Sequence, residues 1–579
     1  MKNFIKRLSN LAQRQQSSIL SAAALIMLSY GLSMLLGFVR DRLLLAYFFG
    51  CCKGALDAYR AAFVLPDTLF QLLVTGSLTA AFIPIYSKLL DTSKAKAFRM
   101  SSSVLNGLVV GFLFLGVVIF IFAPQLSNII TGDFTEDQLR LMTSLTRLML
   151  AGQFFFLFSS FLTGINHSHQ RFLLPAISPL LYNLSIIGGI ILGAERIGLY
   201  APAIGVLVGA FLHAGIQVPL VWKLGFRYRW DQWDFRMKEV RELGKLMIPR
   251  TLSSGVNQLE AIAAVFFTTS LTSGSYVLFS LAQMLMFLPI RLVGVPISQA
   301  AFPQLSKSFS RDKRLYVRLI SDNILQILYF ILPITAILLV LRVPIVRLAY
   351  GTANFPWEAT LQTGYTLGFF TLAIPAQAIN QLLIRGFYAQ KDTRMPLLSG
   401  AVSMLIFLSL SWLSTFIIDW DQAAKGVAFV DWGRRSSIDW NLLGLALATS
   451  MASFGQLVML FWLFNRRVKI LTNSLVTPTS KLLLSALLTA TCLWIPMWFL
   501  DDLVFDTTRV LPLIGLTVTA TAIGLAVYFL LCHWLKVKEQ DYILELIHKL
   551  PAMKKSIRKL RALTSLVSAP SGGLGDGNV

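Results

Sequence analysis

Long apolar runs recur along the chain, separated by short polar stretches, and this alternation predicts its elements. A helix needs about 20 apolar residues to cross the hydrocarbon core of a bilayer. Runs of that kind fall near 20–48, 56–86, 103–123, 140–164, 172–194, 199–222, 246–271, 275–302, 318–342, 358–388, 395–418, 442–464, 482–500 and 509–534. The pattern predicts an all-α polytopic membrane protein with about fourteen transmembrane helices. Several runs are longer than a bilayer requires, which predicts tilted or kinked helices.

Charge interrupts the first two runs. The stretch Ser33–Lys88 carries Arg40, Asp41, Asp57, Arg60 and Asp67. Ionised groups at membrane depth are costly and usually face a polar cavity or one another. Gly31, Gly37, Pro66, Gly76 and Pro84 punctuate the same stretch, as in helices that bend around a site. This hairpin is read as part of the wall of a central transport cavity. On a single helix, Arg60, Asp67 and Gln71 share a narrow angular range and Asp57 lies to one side. The competing reading is an Asp57–Arg60 or Arg60–Asp67 ion pair that only holds a kink. Arg40 likewise either meets a substrate or latches onto Asp41 or Asp57. Arg291, beside Pro289, has no acid near it in sequence and is the candidate from the second half of the chain. Glu260 is the lone carboxylate of the seventh run. It either binds a coupling proton or cation, or neutralises an arginine such as Arg291, and both readings stay open.

Composition agrees with the pattern. Of 579 residues, 55% are hydrophobic and only 14% charged, with a mean hydropathy of +0.67. A soluble chain of this size needs far more charge to cover its surface. The net charge of +23 is not a nucleic-acid footprint, because the basic residues sit in alternate loops. One side takes Lys2, Lys6, Arg7 and Arg14, then Lys88–Arg99, Arg171, Arg227–Lys245, Lys307–Arg314, Arg385–Arg394, Arg466–Lys469 with Lys481, and the tail. The opposite loops, Gly132–Asp137, Gly193–Arg196 and Asp501–Asp506, are acidic or mixed. The positive-inside rule then places both termini in the cytoplasm of a multi-pass protein, which an even number of spans fits. Residues 1–17 read as a cytoplasmic leader, since the apolar run that follows is too long for a signal peptide. Residues 535–579 read as a basic tail lying on anionic headgroups.

Two word pairs suggest an internal repeat. Ala80–Lys88 (AAFIPIYSK) echoes Ala300–Lys307 (AAFPQLSK), and Gly164–Pro175 echoes Gly386–Pro396 in layout. Both pairs are offset by roughly 220 residues, as in a duplicated unit. The expected organisation is an N-lobe of six helices (18–223), a cytoplasmic connection (224–243), a C-lobe of six helices (244–467) and two further helices (468–534). Such lobes face each other across a substrate site that opens to alternate sides.

Other features are read plainly. Cys51, Cys52, Cys492 and Cys532 have no metal spacing and predict no disulfide framework. His167 and His169 fall in a turn read as solvated, and the remaining histidines are scattered, so no metal site is expected. Arg385 and Arg394 are expected to snorkel to lipid headgroups. Trp222, Trp230, Trp233 and Trp420 are read as marking membrane interfaces. The segment 419–441 is read as an outer surface cap. Clustered acids or histidines of a polyprenyl-lipid enzyme are missing, as is a GxxxxGK[ST] loop, so neither catalysis nor direct use of ATP is expected.

Gly37–Asp41 (GFVRD), Asp57–Asp67 (DAYRAAFVLPD), Gly76–Lys88, Pro175–Asn183 (PAISPLLYN), Ile248–Gln258 and Arg385–Pro396 together resemble the MurJ/MviN family. The resemblance covers most of the chain. It implies the fold of the multidrug/oligosaccharidyl-lipid/polysaccharide exporter superfamily. It implies a flippase that carries lipid II, the undecaprenyl-diphosphate-linked peptidoglycan precursor, from the inner to the outer leaflet of the bacterial inner membrane. The implied partners are that lipid-linked diphosphate oligosaccharide, membrane lipids and the cell-wall synthesis machinery, with no cofactor. Arginines suit a diphosphate because they form charge-assisted, often bidentate bonds to it. Arg40, Asp41 and Asp57 match the family pattern, and Asp67 stands where asparagine is common. Met34, Phe70 and Met284 stand where the family often has arginine, and Arg60 and Arg291 are the candidates to replace them. The departures keep other readings open: a flippase for another prenyl-diphosphate-linked unit, a drug–cation antiporter of the same superfamily, or a non-transporting cell-wall scaffold.

Overall fold

The computed structural model describes residues 19–75, 82–418, 438–468, 473–503 and 510–540. The leader, most of the tail and most of the 419–441 loop, with Trp420 and Gly76, therefore lie outside the described residues. Everything regular among the described residues is helical. The helices are α1 (Ile19–Ala61), α2 (Val64–Phe70), α3 (Ile83–Thr92), α4 (Lys94–Ile121), α5 (Ala123–Ile130), α6 (Glu136–Ser168), α7 (Leu173–Ile197), α8 (Tyr200–Gly215) and α9 (Val218–Lys223). After a polar connection come α10 (Lys238–Thr269), α11 (Ser275–Pro289), α12 (Val295–Arg311), α13 (Lys313–Val340), α14 (Arg342–Tyr350) and α15 (Trp357–Ala389). The series ends with α16 (Arg394–Phe416), α17 (Trp440–Val468), α18 (Asn473–Leu503) and α19 (Val510–Trp534).

Eleven helical segments among the described residues are long and apolar enough to cross a membrane. They coincide with eleven of the expected runs. The first and seventh runs are helical as well, within α1 and α10. The second is the one the structure redraws: a turn at residues 62 and 63 separates α1 from α2, and α2 passes into a π-helical turn at Gln71–Thr75. Arg60, Asp67 and Gln71 therefore do not share one regular helix, and the angular argument that grouped them does not apply.

The first run continues as α1 through residue 61, but Cys52 has φ −145° and ψ 44°, outside the helical region. A straight helix would hold Asp41 and Arg60 roughly 28 Å apart. Their side chains instead pair at 3.6 Å, so the chain doubles back at Cys52 and α1 is two limbs of a hairpin. The adjacent Cys51 and Cys52 are joined as a disulfide at this turn. The spacing of the cysteines, which predicts no disulfide framework, does not foresee this bridge. The bridge closes only a local ring, and Cys492 and Cys532 remain free.

Helix starts follow local chemistry. Thr135 and Gln138 form a reciprocal capping box at α6, and Asp312 accepts from the N–H groups of Arg314 and Leu315 at α13. Small residues set the closest helix pair, α7 with α8. A Cβ on Gly205 would lie 2.8 Å from the Ile186 Cα, and one on Gly209 would lie 3.0 Å from the Tyr182 carbonyl oxygen. Contact this close is how membrane helices associate without a hydrophobic driving force. Tyr182, whose ring edge also lies against Gly209, is positioned by this contact at a cavity wall shared with α1. The helices α6 and α7 pack on α1 from one side, and α11 and α14 pack on it from the other. The last two helices pack on α13 and α14.

Candidate functional site

The turn at Cys52 brings the two limbs of α1 side by side, and their charged residues meet. Arg40 holds Asp41 through Nη2 at 3.1 Å and Nε at 3.2 Å. Its Nη1 also donates to the Asn183 side-chain oxygen at 3.4 Å. Asn183 is itself held, donating to Ser33 Oγ at 3.1 Å. Across the turn, Arg60 Nη2 lies 3.6 Å from the same Asp41 oxygen. Arg60 Nη1 donates to Ser280 Oγ on α11 at 2.9 Å. One carboxylate thus serves two guanidinium groups. Asp41 is 2% exposed. Asp41 Oδ2, Arg60 Nε and Arg60 Nη2 are buried and make no hydrogen bond.

These groups open onto a cavity of about 290 Å³. Arg40, Asp41, Arg60 and Asp67 contribute its charged wall, and Tyr59, Tyr182, Tyr276 and Ser280 its hydroxyls. Leu44 and Phe63 complete it. Asp67 accepts a hydrogen bond from Gln153 on α6. The wall is formally balanced, with two arginines and two aspartates. The balance is local, however: Asp67 is engaged by Gln153 and Asp41 is shared, so donor capacity remains on Arg60. The arrangement suits an anion that accepts several hydrogen bonds at once.

Of the seven residues singled out from sequence, four meet here. Asp57 is close by but not on the wall. Its carboxylate accepts from the backbone N–H of Gly274 at 2.5 Å and of Val277 at 2.8 Å, capping the start of α11. Neither expected ion pair, Asp57–Arg60 or Arg60–Asp67, is among those of the described residues; Arg60 pairs with Asp41. Arg291 stands apart, exposed on the π turn that follows α11, its guanidinium 5.6 Å above the Phe287 ring. Glu260 is half-buried, and no ion pair joins it to Arg291 among the described residues. Two of the three apolar departures have neighbours near the site. Met284 Cε comes within 3.7 Å of a Cβ placed on Gly37. Phe70 packs on Phe156, which packs on Tyr182. Tyr276, Ser280 and Gln153 carried no sequence signal, whereas Tyr182 and Asn183 lay inside a quoted motif.

Beyond the cavity, the chain before residue 223 meets the chain after residue 244 at more than one place: Thr251 Oγ1 donates to the Leu72 carbonyl at 3.0 Å, and Thr68 Oγ1 to the Gln258 side-chain oxygen at 3.3 Å. Besides the Asp57 cap, Asn354 donates to the Ala46 carbonyl at 2.6 Å and Arg42 to that of Leu348 at 3.2 Å. The Gly132 N–H donates to Thr269 Oγ1 at 2.8 Å. The Asp57, Asn354 and Gly132 contacts involve turns between alternate helices, at the end expected to face outward, and Arg42 meets Leu348 between α1 and α14.

Two peripheral expectations change. His167 and His169 are not solvated: they are half-buried and touch Phe172 and Tyr86. Arg385 does not snorkel; the π turn and start of α12 draw it inward, where its Nη1 donates to the Val295 carbonyl at 2.9 Å. Asp392 caps α16 and pairs with Arg467 at 2.7 Å. No group of metal-ligating side chains occurs among the described residues.

The model of the family described as lipid II flippase MurJ matches residues 45–513. A probable lipid II flippase MurJ of Rhizobium meliloti (strain 1021) is 26% identical over 525 residues, covering 86% of this chain and 91% of that protein. The protein of the same description from Buchnera aphidicola subsp. Schizaphis graminum is 27% identical over 443 residues, covering 74% of this chain and 80% of the relative. Among solved structures, a lipid II flippase MurJ in an inward closed conformation superimposes with a TM-score of 0.68 at 23% identity, covering 87% of this chain and 99% of that one. An inward-facing multidrug resistance MATE family transporter of the MOP superfamily gives 0.56 at 13% identity, covering 76% and 98%. At these identities the structural matches establish the fold.

Proposed function

The chain belongs to the MurJ family, and from that membership we propose that it flips lipid II, a prenyl-diphosphate-linked peptidoglycan precursor, from the inner to the outer leaflet. It is a multi-pass membrane protein of the bacterial inner membrane. Both termini are assigned to the cytoplasm on the loop charges. The work is transport rather than covalent chemistry.

The observation that carries this reading is the shared carboxylate. A diphosphate headgroup cannot cross hydrocarbon unaided, because its charges would lose hydration without compensation. The Arg40–Asp41–Arg60 group supplies that compensation at a buried place. Asp41 holds both guanidinium groups in position while no anion is bound. An arriving diphosphate then competes for Arg60, whose Nε and Nη2 are free of hydrogen bonds. Two six-helix lobes, 18–223 and 244–467, rock about this site. The Asp57 cap and the Asn354, Arg42 and Thr269 contacts close its outer end and must break for release outward. Arg291 and Glu260 lie off the cavity and serve, on this reading, at another stage of the cycle, Glu260 as a carrier of a coupling proton or cation.

The test is complementation. In cells depleted of their own flippase, the wild-type chain restores growth. Arg40→Ala and Arg60→Ala fail to do so while still reaching the membrane. Growth of both variants at the wild-type rate removes the cavity from the mechanism.

A further inference from the structure

The connection between α9 and α10 is clasped along one face of α4. Asn106 Nδ2 donates to three carbonyls of the connection, those of Arg229 at 3.3 Å, Trp230 at 3.1 Å and Gln232 at 2.7 Å. Ser103 Oγ accepts from the Asp234 N–H at 3.0 Å, and Arg99 pairs with the Asp234 carboxylate at 3.1 Å. Phe226, 2% exposed, packs against Phe98 and Phe161. Residues 99, 103 and 106 are successive positions on one helix face, so the connection is held against about two turns of α4.

These contacts consume its inward side. The outward side presents Trp230 at 51% exposure and Trp233 at 43%, with ring centroids 4.9 Å apart. Arg227 and Arg236 flank the rings, exposed and without an ion pair among the described residues. Depth follows from length. Helix α4 has 28 residues and spans about 42 Å. A hydrocarbon core of about 30 Å leaves roughly eight residues outside it. Lys94, Lys96 and Arg99 mark the end that protrudes. The clasped stretch, residues 98–107, therefore straddles the boundary between headgroups and hydrocarbon. Rigid indole rings with a polar N–H favour that boundary.

We infer that residues 226–236 form an interfacial anchor whose occupant is a leaflet containing anionic phospholipid. Trp230 and Trp233 enter the headgroup region, and Arg227 and Arg236 meet lipid phosphates. Anionic lipid is favoured because the flanking charge is basic and unpaired. The inference rests on α4 spanning the bilayer and is independent of what the protein transports.

The test uses the full chain in nanodiscs of phosphatidylcholine, with or without phosphatidylglycerol. Subtracting the emission of the Trp230→Phe/Trp233→Phe variant isolates the two rings. Phosphatidylcholine brominated high on its acyl chains quenches that emission roughly two-fold, while aqueous acrylamide has little effect. Arg227→Gln and Arg236→Gln each lower the preference for bound phosphatidylglycerol about five-fold, read by mass spectrometry of retained lipid. Quenching by acrylamide and not by bromine overturns the inference and marks the surface as open to water or to a protein partner. An unchanged lipid preference in both arginine variants also overturns it.

Discussion

Arg60 Nη2 lies 3.6 Å from Asp41 Oδ1, and the same oxygen is held at 3.1 Å by Arg40. This one carboxylate joins the two limbs of α1 and keeps two cations together inside the protein. Removing one member of a buried ionic group leaves the others uncompensated, at a cost of about 3–5 kcal/mol. Asp41→Asn is expected to lower thermal stability in detergent markedly, and Asp41→Ala to lower it further. A melting temperature unchanged by Asp41→Asn would show that the carboxylate is not what holds the arginines.

Asp57 acts differently, as a cap that one part of the chain provides to a helix in another. Its bonds to the Gly274 and Val277 N–H groups are of a kind whose loss costs about 1–2 kcal/mol. Asp57→Ala should shift the protein toward outward opening. A cysteine replacing Ser280, in a Cys492→Ser/Cys532→Ser background that removes the free thiols, should then react faster with an impermeant maleimide added outside. No increase in labelling would mean that the cap is not part of the outer closure.

Arg60→Lys separates charge from geometry. Lysine keeps the positive charge but loses the planar fork. Its single ammonium cannot bond Ser280 and still offer paired donors to an anion. Transport should fall well below wild type while protein abundance holds. Full activity in Arg60→Lys would reduce Arg60 to a point charge.

Asp392 sits in the turn between α15 and α16, outside the spanning segments. Burial pushes its carboxyl upward, but hydrogen bonds from Arg467 and from the N–H groups of Met395 and Arg394 outweigh this, and its pKa falls below the ordinary value. A depressed carboxylate contributes stability above its unfolded pKa of about 4 and loses it as pH falls through the folded value. Asp392→Asn should therefore be less stable than wild type at neutral pH, and the gap should close below about pH 4. A gap constant across that range would contradict the pairing.

Asn106 donates to three carbonyls of the connection after α9, and that of Arg229 also accepts from the Gln232 N–H. Asn106→Ala leaves them without that donor, at a cost of about 1–3 kcal/mol where they stay buried. Proteolysis in the stretch 227–236 should accelerate severalfold relative to wild type. Equal cleavage rates would show that the clasp does not depend on this side chain.

Much of the fold was legible because a bilayer imposes a length on every apolar run. Runs of the right length became helices wherever charge was sparse, along the chain from α4 onward. The second run failed because its apolar length hid a break: Pro66 and the π turn at Gln71–Thr75 carry no change in hydrophobicity. The site was half legible for a related reason. Ionised residues in an apolar run announce themselves, so Arg40, Asp41, Arg60 and Asp67 could be named. The Arg40–Asp41 pair is one of the readings the sequence allows and the hairpin is expected, but Arg60 joining the same carboxylate is not, because the register in which two limbs of a hairpin face each other is not set by sequence spacing. Tyr276, Ser280 and Gln153 are ordinary residues made relevant only by where α11 and α6 pack. Arg291 looked equivalent to Arg40 in sequence, yet the turn after α11 points it elsewhere.

The central claim is that the Arg40–Arg60 pair binds the diphosphate of the lipid-linked substrate. Native mass spectrometry of the purified chain, titrated with lipid II, tests it most directly. Wild type should retain the lipid, and the same lipid lacking its diphosphate should not bind. Arg40→Ala/Arg60→Ala should lose retention by at least about ten-fold, as expected when charge-assisted bonds to an anion are removed. Equal retention of lipid II by wild type and the double variant would contradict the account.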